Sequence, residues 1–148
     1  MSQAEKSVSG KLVVVLLVGG SLLFVLLYQR FLGRPHENFT RNELETQIGL
    51  PLPPEARELH SLRYGFDRKA YYIRFDLPAD RLSSWLGRTS FAGKLSPGAA
   101  PERLATPIDR TWWNPTSGAG GEIADEGDRQ LLVRSEGKLA RVYLFILK

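Results

Sequence analysis

The sequence predicts an α+β protein in which a single N-terminal transmembrane helix is followed by a small antiparallel-sheet domain with one packed helix. Three observations predict it. Leu12 to Tyr28 (LVVVLLVGGSLLFVLLY) carries no charge. In the segments around Tyr71–Leu77 and Leu139–Leu147, aromatic and β-branched residues recur with the two-residue period of a strand. Leu82, Trp85 and Leu86 recur at the i, i+3, i+4 spacing of an amphipathic helix. The expected division is a tail over 1–11, a transmembrane helix over 12–32, a juxtamembrane helix and proline-rich stalk over 33–57, and an α+β domain over 58–148.

The N-terminal run covers roughly 26 Å at 1.5 Å per helical residue, and Lys11 and Arg30 bracket it. Snorkelling of these two side chains, with Phe31 and Leu32, extends the run towards the hydrocarbon thickness of a bilayer. A core helix apolar on every side is rare in a domain this small. A cleaved signal would need small residues where YQRFLGRP stands. Lys11, Tyr28, Arg30 and Arg34 are therefore the expected membrane-flanking residues. Gly19, Gly20 and Ser21 form a notch of small residues that would let a neighbouring helix approach, although GxxxG spacing is missing.

Beyond the helix, Thr40 and Glu43 fit a capping box for a short helix over Arg41–Ile48, closed by Gly49, and LPLPPEA reads as a stiff connector. Leu59–Phe66 and Ala70–Leu77 read as a hairpin about Asp67, Arg68 and Lys69. Pro78 ends the second strand, and the helix carrying Trp85 follows it. Arg88–Arg110, with Pro97, Gly98, Pro101 and Pro107, reads as a long surface loop, and Gly118–Asp128 as a second flexible loop. Strands then return from Leu131 and from Leu139, joined by a turn at Glu136 and Gly137. Both alternating sets of the last strand are largely apolar, which predicts a central strand covered on both sides.

Charge and motif content narrow the functional classes. The net charge is +4, of which Met1–Arg41 contributes +3, so the basic excess does not form a stripe along the domain and nucleic-acid binding is not expected. With no cysteine, thiolate chemistry and disulfides are excluded. His36 and His60 fall in no metal-binding spacing, and Asp67, Asp76, Asp80 and Asp109 are scattered. Neither GxSxG nor a P-loop is present, and Gly118, Gly120 and Gly121 open no helix bearing a phosphate-binding lysine. No catalytic residue, metal or cofactor is assigned. The least ordinary local feature is Trp112–Trp113–Asn114–Pro115, since adjacent tryptophans on an extended chain point to opposite faces. One ring can serve the core while the other forms an interface or ligand platform.

LPPEARELHSLRYGFDRKAYYIRFDLPADRLSSWL, then WWNPT, then RVYLF, resembles small bacterial membrane-tethered or lipoprotein-type proteins of uncharacterised function. The resemblance implies a tethered domain, here without the acylated cysteine, and transfers no functional residue. Together these readings lead to an expected non-catalytic accessory or stabilising subunit of an integral-membrane protein complex. It would contact the lipid bilayer, with its domain on the extracytoplasmic side of a bacterial inner membrane. Gly19, Gly20, Ser21, Trp112, Trp113 and Tyr143 are the interaction candidates. The alternative is a tethered binding module for peptide, glycan or envelope material.

Overall fold

The computed structural model describes residues 3–32, 35–65, 67–118 and 120–148, with the backbone alone over 3–12 and 29–32. It divides into two units, Met1–Arg34 and Pro35–Lys148.

The first unit is helix α1 (Gln3–Leu32). Its apolar side chains from Val13 to Val18 and from Leu22 to Tyr28 are between 45% and 69% exposed. Among the described residues, no helix is long and apolar enough to cross a membrane. This overturns the expected transmembrane helix over 12–32, and with it the single-pass, inner-membrane placement of the chain. The flanking Lys11 and Arg30 side chains, and Arg34 as a whole, lie outside the described residues.

The second unit is built on one antiparallel sheet of seven strands. These are β1 (His36–Glu37), β2 (Arg57–Tyr64), β3 (Ala70–Pro78), β4 (Ser96–Gly98), β5 (Gly121–Asp125), β6 (Arg129–Glu136) and β7 (Leu139–Leu147). Their spatial order is β1-β2-β3-β7-β6-β5-β4, so β7 is the central strand, paired with β3 and β6. The expected sheet of about four strands with one packed helix is thus corrected to seven strands. The three additions are short strands that complete the edges. β4 and the helix α4 (Glu102–Ala105) occupy the stretch expected as a surface loop, and β5 lies within the expected flexible loop.

Helices α2 (Arg41–Ile48) and α3 (Ala79–Leu86) lie on one face. The capping box that opens α2 is complete. The Thr40 hydroxyl accepts from the Glu43 amide at 3.4 Å, and the Thr40 amide donates to Glu43 Oε2 at 2.9 Å. The Thr40 hydroxyl also donates to that carboxylate, and this bond, with the backbone one, holds the Glu43 carboxyl below its ordinary range. Gly49 ends α2 at φ 67°, a conformation that suits a residue without Cβ. Leu44 and Ile48 of α2, with Leu50 and Leu52, are buried in the core. The residues expected as a stalk therefore belong to the domain.

The two faces of the sheet carry separate cores. The first is lined by Tyr71, Ile73, Phe75 and Leu77 of β3, Ala140, Val142, Leu144 and Ile146 of β7, and Leu131 and Val133 of β6. Trp85 and Leu86 of α3, the α2 side chains and Phe91 close it. The second is made by Leu132, Tyr143 and Phe145 from the sheet, with Leu104 of α4 and Trp113 above them. Both alternating sets of β7 are thus used.

Candidate functional site

Trp112 and Trp113 sit in the connection between α4 and β5, which runs over the second face of the sheet. Trp113 is 5% exposed and meets Tyr72 and Tyr143 edge-on, with centroids 5.3 and 5.5 Å apart. Such perpendicular contacts place ring edges against π faces. Tyr143 is buried beneath it, and its hydroxyl donates to Asn114 Oδ1 at 2.6 Å. Burial raises the Tyr143 phenol above its ordinary range, so the group is held as a neutral donor. Tyr143→Phe is expected to cost about 1 kcal/mol in chemical denaturation, the ordinary value of a lost neutral hydrogen bond. A midpoint equal to that of the parent chain would show that this bond does not hold the connection down.

Trp112 stays half-buried, perpendicular to Trp113 with centroids 5.8 Å apart. Its other neighbour is His60, stacked at 5.3 Å with planes 11° apart. A bulge places that imidazole. The β2–β3 register slips between Arg57 and His60, and Glu58 takes a positive φ of 49°. His60 then pairs with Arg74 on the second face, while Leu59 packs on the first core. Arg74 Nη1 reaches the Trp112 carbonyl at 3.5 Å and Arg74 Nη2 lies 3.6 Å from Asp76.

Two arginines strap the connection to the domain. Arg134 donates to the carbonyls of Pro115 (2.6 Å), Gly120 (3.2 Å) and Ser117, and Arg110 pairs with Glu37 of β1. The segment is thereby fixed in place as a cover, with one indole face left partly open to solvent.

The remaining interaction candidates lie on α1. An added Cβ at Gly19 or Gly20 would meet nothing within 4 Å, and the Ser21 hydroxyl donates back to the Leu17 carbonyl at 2.8 Å. Leu17, Val18, Ser21, Leu22 and Val25 line a shallow apolar groove along the helix. Tyr28 is exposed and tilted against Phe24 at 6.2 Å. The candidates therefore fall into a buried pair (Trp113 and Tyr143), a partly open ring (Trp112) and an exposed helix (Gly19, Gly20, Ser21).

Among the described residues, no group of three or more His, Cys, Asp or Glu side chains could hold a metal ion. His60 and Arg74 complete the surroundings of Trp112 and were not singled out as contacts in the sequence. The signal available was the alternation of β2, which sets His60 on the side of Leu62 and Tyr64 once the bulge is allowed for. Comparison with known proteins finds no matching family model, curated protein or solved structure.

Proposed function

We propose that this chain is a non-catalytic accessory or stabilising subunit of a larger integral-membrane protein complex, seated through α1 among that complex's apolar helices. The observation that carries the reading is the exposure of α1, whose apolar side chains from Val13 to Val18 and from Leu22 to Tyr28 are largely exposed. Each large apolar side chain left in water forgoes about 1.5–3 kcal/mol of burial. A helix that is apolar all round needs neighbours on several sides, which an assembly of helices supplies and a single groove does not. This seating does not require α1 itself to span a bilayer. The domain supports the reading in a second way, since both faces of its sheet are already covered by its own residues.

The test is native electrophoresis of the tagged full-length protein from gently solubilised membranes, with mass spectrometry of co-migrating chains. Stoichiometric co-migration with an integral-membrane assembly is expected, and a free monomer under all mild conditions would refute the proposal. Gly20→Leu sharpens the test because a Cβ added at Gly20 meets nothing within 4 Å among the described residues. Weaker co-migration with unchanged domain stability would place a neighbouring helix at the notch.

One observation favours a second reading, a binding module for peptide, glycan or envelope material: the partly open indole of Trp112 between His60 and Trp113. Ligand-dependent quenching of tryptophan emission would support it, and unchanged emission across a ligand panel would set it aside.

A further inference from the structure

A cavity of about 420 Å³ opens at the corner of the domain and is lined by Gln47, Arg63, Asp67, Lys69, Tyr71 and Lys148. Sheet register builds it. Lys69 and Lys148 exchange backbone hydrogen bonds of 2.7 and 2.9 Å, continuing the β3–β7 ladder beyond the Ala70–Leu147 pair. Residues paired in this way stand directly opposite with their side chains on one face, so two ammonium groups share a small surface. Arg63 pairs with Tyr71 on the same face and adds a guanidinium.

Like charges opposite one another are destabilising, yet among the described residues no carboxylate side chain lies within ion-pair distance of these three. Elsewhere in the domain, Arg74, Arg81, Lys94, Arg103, Arg110 and Arg141 have an acidic partner, whereas exposed cations such as Arg57, Arg88 and Lys138 do not among the described residues. Arg63, Lys69 and Lys148 have none among the described residues. The anchors that position them are neutral. Lys148 Nζ donates to the Gln47 carbonyl at the end of α2 at 2.5 Å. Arg63 Nη1 lies 3.5 Å from Gln47 Oε1, and its guanidinium sits 5.5 Å from the centre of the Phe39 ring. The buried Tyr71 donates to the same Gln47 oxygen at 3.0 Å and fixes it. Asp67 is the one carboxylate side chain among the lining residues.

We propose that this corner is a binding site for a doubly charged oxyanion of the phosphate-monoester class. Such a group would face three cationic side chains and one anionic one. The planar fork of Arg63 and the two ammonium groups supply charge-assisted donors to tetrahedrally arranged oxygens. The cavity exceeds the size of the phosphoryl group and leaves room for the start of the esterified moiety.

The test is calorimetric titration of the full chain in non-ionic detergent at low ionic strength, with inorganic phosphate as the probe and succinate as a dianion whose charges are separated. Phosphate is expected to bind at one site and more tightly than succinate. Lys69→Gln and Arg63→Gln are each expected to weaken phosphate by about tenfold, as for loss of one charge-assisted contact. Lys69 is exposed and Lys69→Gln relieves its repulsion with Lys148, so the denaturation midpoint should not fall and a loss of phosphate affinity reports on binding. The proposal is overturned by the absence of saturable heat with phosphate, by equal affinity for succinate, or by an affinity that Lys69→Gln does not change.

Discussion

Trp85→Ala is expected to destabilise the domain by about 3–5 kcal/mol, the usual range for truncating a large buried aromatic. Trp85 is 1% exposed at the centre of the first core, and its ring meets Phe75 edge-on with centroids 5.3 Å apart. Its indole N–H donates to the Pro51 carbonyl at 2.8 Å, so the side chain also ties the connector after α2 to α3. Alanine would leave a cavity and an acceptor without its donor. Against a typical total of about 5–15 kcal/mol, such a loss brings the chain close to unfolding at physiological temperature. Denaturation followed by far-ultraviolet circular dichroism would measure it, and a cost below about 1 kcal/mol would mean that the core collapses around the vacancy. Trp85→Phe separates the two contributions, since it removes the donor while restoring most of the ring.

Asp76→Ala is expected to cost about 2–3 kcal/mol, between the small effect of a surface pair and the larger one of a fully buried pair. Asp76 is 7% exposed, and Arg141 donates to both its oxygens at 3.0 and 3.3 Å. This bond raises the Arg141 guanidinium above its ordinary range. Arg74 approaches the same carboxylate, and Arg134 stands directly opposite Arg141 in the β6–β7 register. Without Asp76, three guanidinium groups would share one part of the second face, with Glu136 at 2.9 Å from Arg141 the remaining counter-charge on that residue. Because much of the cost is repulsion among partly exposed groups, it should shrink as salt is added. A deficit that does not change with ionic strength would assign the loss to packing instead.

How much was legible in the sequence follows from where each signal resides. Thr40, Glu43 and Gly49 carry their information locally, and α2 forms where they place it. The hairpin turn at Gly137 (φ 65°) is likewise local, as is the double-sided burial of β7. β5 was hidden because GEIAD offers only one strongly strand-forming residue, and its pairing with β6 and β4 supplies the order. β4 contains Pro97 and is three residues long, too short for any alternation to register. The expected membrane span rested on composition over 12–32, and among the described residues no helix is long and apolar enough to cross a membrane. For the candidate site, the sequence allowed one of the paired tryptophans to be buried and the other open. It could not show that His60 would be the ring stacked on Trp112, because that contact depends on a bulge in β2 and on a cover brought from 52 residues away.

The outermost strands have a consequence for how many copies can join. β1 offers two residues and β4 three, one of them proline, so neither rim is a template on which another chain could extend the sheet. Growth by strand addition is thus disfavoured at β1 and at β4. Should the chain join a larger complex through α1 as proposed, the rims of its sheet would add no further copies to that complex.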